Sequence, residues 1–404
     1  GGGGGTAGAT GTPGGAGGDF AGGGGGSANG AGGTGGFGGG GGGGATGGNG
    51  GFGAGNGGDA GQMGQGGDAL GGQIFVRDGG SLSLTDTAIS GGAVTAGTGA
   101  GSSDALASGI FFEGSDTLAV EVTSGTKTIA DDLGDDETFI DDQSDDAASL
   151  LQKTGTGSLT LSGTNSFAGG TTVTAGTLSV TNGDNLGSGT VTLGAAGTVL
   201  EVTGSGSLAN TLAGTGALEK TGTGSLTLSG TNSFAGGTTV TAGTLSVTNG
   251  DNLGSGTVTL DAAGTALEVT GSGSLALGPL DVGAGGGTLD LDASGATLDL
   301  DAITGSGDLT VTGPGTLRLE SGDLASFSGD LILSGPGRLD LASDLGSTGG
   351  GALVLDGGGS LGGTGRTPQP VSIDNGVLAP GLTAAPPPPL LGIAAEDSDS
   401  LAGF

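Results

Sequence analysis

Lys153-Thr-Gly-Thr-Gly-Ser-Leu-Thr-Leu-Ser-Gly-Thr-Asn-Ser-Phe-Ala-Gly-Gly-Thr-Thr-Val-Thr-Ala-Gly-Thr-Leu-Ser-Val180 occurs twice in this chain, returning as Lys220 to Val247. The copying runs on through Leu186-Gly-Ser-Gly-Thr-Val-Thr-Leu193, repeated as Leu253 to Leu260. Residues 153–209 and 220–276 form a 67-residue duplication, with mismatches only at Gly194 against Asp261 and Val199 against Ala266. Inside each copy the apolar residues come as i, i+2 pairs: Leu159 and Leu161, Leu178 and Val180, Val191 and Leu193, Leu200 and Val202. Thr, Ser or Glu fills the alternate places, and Gly, Asn or Asp separates the pairs. That is the period of short strands with one buried and one solvated face. A sandwich or barrel has a fixed strand number and no reason to duplicate a long stretch. A solenoid grows by stacking one more coil on the last. The expected fold is therefore all-β, a parallel β-helix, with each repeat making three coils of about 22 residues. Leu, Val and Ile line the interior, and Phe167 and Phe234 read as core plugs or turn-packing residues. Lys153 and Lys220 read as surface residues beside turns.

Working outward, a weaker copy follows: Gly315-Thr-Leu317-Arg-Leu319, then Phe327-Ser-Gly329, Leu331-Ile-Leu333 and Gly337-Arg-Leu339-Asp-Leu341. Upstream, Ile74–Val76, Leu82–Leu84, Ile110–Phe112 and Leu118–Val122 read as short strands. Residues 1–70 hold forty glycines and form a low-complexity segment, too poor in apolar area to offset its ordering entropy. Residues 71–380 are the expected solenoid. Residues 381–404, with Pro386 to Pro389 and Glu396-Asp397-Ser-Asp399, read as a Pro-rich linker and acidic tail.

Composition removes several functions. With no Cys and no His, the protein offers no disulfide, no thiolate and no imidazole chemistry, and almost no way to hold zinc. A net charge of −33 on 404 residues argues against nucleic acid and anionic membrane as partners. No apolar run reaches the roughly 20 residues of a membrane helix. Carboxylates are the abundant reactive groups. Asp290, Asp292, Asp299 and Asp301 alternate with leucines, as outward polar positions on strands do. Paired carboxylates also carry glycoside hydrolysis, so a carbohydrate-active β-helical enzyme is the alternative reading. No catalytic or cofactor residue is assigned. The run from Asp131 to Asp146 has nine acidic residues in sixteen positions. It reads as a solvated block, with Asp131, Asp132, Asp135, Asp136, Asp141, Asp142, Asp145 and Asp146 candidates for loose, nonspecific calcium association.

The duplicated segment closely resembles the passenger-associated strand repeat of bacterial autotransporters (type V secretion). Leu186–Leu193 belongs to the same pattern, and Gly376-Val-Leu-Ala-Pro-Gly381 resembles the turn that often follows such repeats. The resemblance implies a right-handed parallel β-helix displayed at the cell surface, attached to the outer membrane or released outside the cell. It implies a structural stalk or an adhesin-like binding rod, with a C-terminal outer-membrane β-barrel in the precursor. It leaves the ligand on a host cell, matrix or neighbouring cell unnamed.

Overall fold

The computed structural model describes residues 69–70, 73–76, 80–93, 105–112, 114–135, 148–345 and 351–378. The fold is all-β, built of parallel strands stacked as a solenoid. Most of the Gly-rich segment and all of residues 381–404 lie outside the described residues. The described residues fall into two compact units, one within residues 69–120, 127–151 and 162–170, the other within residues 121–126, 152–161 and 171–378.

In the first unit, strands Ile74–Val76, Ile110–Phe112 and Leu133–Asp135 pair in parallel. Ile110, Phe111, Phe112, Leu118, Val120, Ile129 and Leu133 are buried. Phe75 stacks on Phe111 with ring centroids 5.5 Å apart.

The second unit carries three stacks, one per face of the solenoid. The first sheet runs from Ser158–Leu161 through Thr177–Val180, Val199–Val202, Ala217–Lys220, Thr238–Val240, Val258–Leu260, Leu280–Val282 and Ile303–Gly305 to Ser326–Phe327. The second runs from Gly206–Leu208 to Val371–Asp374. The third face begins with strands Thr171–Val173, Val191–Leu193 and Leu212–Gly214, paired in register. It then passes through residues 231–235, where the Ser233 and Ala235 amides donate to the carbonyls of Leu212 and Gly214, and through a 3₁₀ turn, Gly250–Asn252. It resumes as strand Gly273–Leu277 and ends at Val377–Leu378. The stack makes about eleven turns.

Register settles how the duplication sits on these faces. Ser158 lies beneath Thr177, Thr177 beneath Val199 and Val199 beneath Ala217. Three turns therefore run from Ser158 to Ala217. The stretch from Ala217 to Ser225 is left over, and it carries the copy of Ser158 onto the second sheet. The 67-residue unit is three turns and one face, not the three whole coils expected from the sequence. The cause is coil length. Strands of three or four residues with tight turns close a rung already between Thr171 and Val191, or between Leu218 and Thr238. Each copy is thus rotated by one face against the last. Strand Ser158–Leu161 is on the first sheet, its copy Ser225–Leu228 on the second, and the weaker copy Thr316–Leu319 on the third.

Inward positions are apolar in nearly every row, and Leu159, Leu178, Leu200 and Leu218 form one buried column. Each such leucine contributes on the order of 1.5–3 kcal/mol by leaving water. Phe167 and Phe234 are buried, as expected of core plugs. Lys153 and Lys220 are not on the surface: both are completely buried. They are the inward members of Leu151-Gln-Lys153 and Leu218-Glu-Lys220, and Lys220 stacks in register between Val202 and Val240. The aliphatic stem fills the core while the ammonium reaches a corner. Lys153 Nζ donates to the carbonyls of Thr154 at 2.8 Å, Gly155 at 2.7 Å and Ala175 at 3.1 Å. Lys220 Nζ donates to the Gly222 carbonyl. Burial pushes both ammonium groups below the ordinary lysine range. In the weaker copy Val311, five residues before its Thr316 as Lys153 is before Ser158, fills the same inward place.

Thr171 and Thr238 occupy equivalent inward places in the two copies. Both are buried, and neither hydroxyl has a hydrogen-bond partner among the described residues. The weaker copy has Leu331 there. Their register neighbours are Val191 and Val258. Replacing either by Val keeps the β-branched shape and removes an unsatisfied polar group. Thr171→Val and Thr238→Val are each expected to raise stability by about 1 kcal/mol. Urea unfolding checks this, and a loss of stability in both variants would refute it.

Candidate functional site

Outward positions of the first sheet line up in one continuous column. Its members are Thr160, Ser179, Glu201, Glu219, Thr239, Thr259, Asp281, Thr304 and Ser326, each in register with the next. Ser179 is the one member of this column that is buried. Successive rungs are about 4.8 Å apart. Hydroxyls brace some of the carboxylates: Thr304 Oγ1 donates to Asp281 at 2.7 Å and Thr221 Oγ1 to Glu201 at 3.3 Å. Glu201 and Glu219 stack directly, and like charges on adjacent strands oppose pairing. Glu219→Gln is expected to stabilise the protein by a few tenths of a kcal/mol at low salt. The gain should vanish near 1 M salt, where screening shortens to about 3 Å. Thermal melts at both ionic strengths check it.

The second sheet repeats the opening of this column through the duplication. Thr227, Ser246 and Glu268 stack in register as Thr160, Ser179 and Glu201 do, and Asp290 follows Glu268. The third sheet differs because it is charged in both senses. Asp299, Arg318 and Asp340 follow one another in register. Arg318 reaches Asp299 at 3.2 Å and Glu320 at 2.9 Å, and Arg338 reaches Asp340 at 2.8 Å. Hydrogen bonding and the charge of Asp299 raise the Arg318 guanidinium further above its ordinary range. Beside this ladder, Asp323 is buried, and desolvation pushes its carboxyl up.

The carboxylates weighed for sugar chemistry are distributed over the surface. Asp290 is outward on the second sheet and Asp299 outward on the third, engaged with Arg318. Asp292 and Asp301 are exposed just beyond the ends of those strands.

The acidic run is divided. Asp131 Oδ1 accepts from the Gly91 amide at 3.0 Å, and its Oδ2 accepts from the Gly92 amide at 2.8 Å and from Gln73 Nε2 at 2.9 Å. Asp132 Oδ1 accepts from the Thr164 amide at 2.7 Å. Asp135 Oδ2 accepts from the amides of Ser149 and Ala168, both at 2.9 Å. Asp131 and Asp135 are buried, which corrects the reading of a uniformly solvated block. These carboxylates tie one segment of backbone to the next. Asp136, Asp141, Asp142, Asp145 and Asp146 lie outside the described residues. Among the described residues no cluster of three or more acidic groups converges as a metal site would require.

Sequence reasoning missed the asparagines. Asn185 Oδ1 accepts from the Thr181 amide at 2.8 Å, the Thr181 hydroxyl at 2.7 Å and the Asn182 amide at 3.1 Å. Asn252 repeats this with Thr248 and Asn249. The signal was present as Thr-Asn-Gly-Asp-Asn, in which an amide side chain satisfies the backbone of a turn that leaves the sheet.

A family model for the passenger-associated-transport-repeat matches residues 151–180, 218–247 and 309–335. These spans are the three copies that occupy successive faces. The chain carries the passenger-associated repeats of autotransporters. Autotransporter passengers are displayed on the cell surface or secreted, and their precursors carry a C-terminal outer-membrane barrel. The chain is also similar to a curated protein named Adhesin BmaC autotransporter, from Brucella suis biovar 1 (strain 1330). The two are 34% identical over 152 residues, which is 30% of this chain and 4% of that relative. The chain thus spans a small part of the relative's length. No solved structure matches it.

Proposed function

We propose that this passenger works as an adhesin-like binding rod, with the outward column of its first sheet as the contact surface. The observation that carries this reading is the nine-rung column from Thr160 to Ser326, in register throughout. A parallel stack fixes hydroxyls and carboxylates at a regular spacing, so a partner meets them without first ordering the surface. The name of the similar Brucella protein supports an adhesive role, and a solenoid suits one because it separates its binding face from the cell. The test compares the purified passenger with a variant carrying Glu201→Ala, Glu219→Ala, Thr239→Ala and Thr259→Ala in binding to cells and extracellular matrix. Folding of both is checked by circular dichroism. Loss of binding by about tenfold or more supports the column as contact surface. Equal binding by both refutes it, and binding by neither makes the rod a stalk.

A further inference from the structure

Three Asn-Gly pairs fall among the described residues: Asn182-Gly183, Asn249-Gly250 and Asn375-Gly376. Asn-Gly is the pair most open to intramolecular amide attack, because glycine puts no side chain in the path of its own nitrogen. Local structure then decides whether the attack occurs. The asparagine side chain must swing until its Cγ meets the next backbone nitrogen, and the turn around it must yield.

Two of the pairs are braced. Asn182 is extended at φ −161°, and its Oδ1 accepts from the Asp184 amide at 3.1 Å. Its own amide is held by the buried Asn185 at 3.1 Å. Asn249 is extended at φ −160°, with its amide held at 3.1 Å by Asn252. Asn252 is buried and donates to the Gly230 carbonyl at 2.9 Å, which ties this turn to the row below. Exposure does not separate the pairs, since Asn249 is exposed as well. Bracing does.

Asn375 is unlike both. It forms the corner between strands Val371–Asp374 and Val377–Leu378. It is exposed, it sits at φ +58°, and its side chain has no hydrogen-bond partner among the described residues. A non-glycine residue there is in the sparsely populated left-handed region. The surroundings are acidic: Asp374 stacks on Asp356.

We propose that Asn375-Gly376 is a spontaneous modification site, a succinimide-forming corner that converts this asparagine to aspartate and isoaspartate. The Gly376 nitrogen attacks Cγ of Asn375. The new N–Cγ bond closes the ring as the Cγ–Nδ2 bond breaks. The backbone amide proton leaves with Nδ2, which departs as ammonia. Water then opens the ring at either carbonyl and restores a carboxylate. Opening at the backbone carbonyl routes the main chain through Cβ and Cγ, one methylene longer. Either product adds a negative charge beside Asp374. The longer product also lengthens the corner that sets strand Val377–Leu378 on the third sheet.

The test ages the whole protein at mildly alkaline pH, folded and in urea, and maps all three positions by peptide mass spectrometry with isoaspartate detection. In the folded protein Asn375 should convert about tenfold or more faster than Asn182 or Asn249, since closed local structure protects only those two. In urea the three rates should draw together, because each is an Asn-Gly pair. An intact Asn375 after folded ageing overturns the proposal. So does conversion of all three at equal rates in the folded protein. Asn375→Gln should abolish the product at this corner, and isoaspartate persisting in the same peptide would also overturn the assignment.

Discussion

Asn252→Ala should be among the most damaging single changes in the second copy, lowering local stability by about 3 kcal/mol. This side chain takes three donors: the Thr248 amide at 2.9 Å, the Thr248 hydroxyl at 2.9 Å and the Asn249 amide at 3.1 Å. It also donates to the Gly230 carbonyl at 2.9 Å. Its own backbone carbonyl accepts from Asn232 Nδ2 at 2.6 Å, and Asn232 Oδ1 accepts from the Leu212 amide at 2.7 Å. These bonds replace sheet pairing on two rows where the third face holds turns in place of strands. Alanine would leave the Thr248 and Asn249 amides without their side-chain acceptor, at about 1–3 kcal/mol for each group that water does not reach. Stability in a stacked array is a sum of row and neighbour terms. The measurement is therefore amide hydrogen exchange by segment, with urea unfolding alongside. Protection should fall at residues 248–253 and around Leu212, and hold at residues 331–341. An unchanged exchange pattern would refute the role given to Asn252. Asn252→Asp should do intermediate damage, since it keeps an acceptor for the amides and loses the donor to Gly230.

The repeat was legible in the residues themselves, and so was its fold class. Period-2 leucines and valines show which side of a strand is wet, and near-identical copying shows that rungs stack. The phase of the copies was not readable. A small difference in coil length decides whether one repeat closes three turns or overshoots by a face. Coil length is set by corner geometry, which propensity does not encode. The lysines failed for a related reason. Lysine is counted as outward by its charge, yet the alternation Leu151-Gln-Lys153 had already placed it inward. The stem obeyed the pattern and the ammonium found corner carbonyls. Asp131 and Asp135 failed because a run of acids reads as solvent-facing by composition. What holds them in place is a set of backbone amides distant in sequence. The outward column was legible residue by residue as the Thr, Ser and Glu between the leucines. Its continuity over nine rows needed the register.

Gly305→Ala is expected to cost about 3 kcal/mol or more, and the reason lies in a corner used three times among the described residues. At Gly305-Ser-Gly307 the Val282 carbonyl one row below accepts from the Ser306 amide at 3.1 Å and the Gly307 amide at 3.2 Å. At Gly214-Thr-Gly216 the Leu193 carbonyl accepts from Thr215 at 2.9 Å and Gly216 at 3.2 Å. At Gly363-Thr-Gly365 the Leu341 carbonyl accepts from Thr364 and Gly365, both at 2.9 Å. The first glycine of each has a positive φ, 101° at Gly305, 106° at Gly214 and 111° at Gly363. A Cβ on any of them would drive into the carbonyl that receives both bonds. Two penalties therefore add at Gly305. The backbone angle costs an alanine roughly 1–2 kcal/mol, and the collision costs roughly 1–3 kcal/mol more because the carbonyl is fixed in the row below. Gly295 separates the two. Its φ is +84°, but no atom lies within 4 Å of where its Cβ would be. Gly295→Ala should carry the angular cost alone, about 1–2 kcal/mol. Urea unfolding of the two variants gives the comparison. Equal losses would mean that left-handed backbone, rather than contact between rows, is what these corner glycines supply. A clearly larger loss at Gly305 would show that the rung spacing itself depends on a residue without a side chain at this corner.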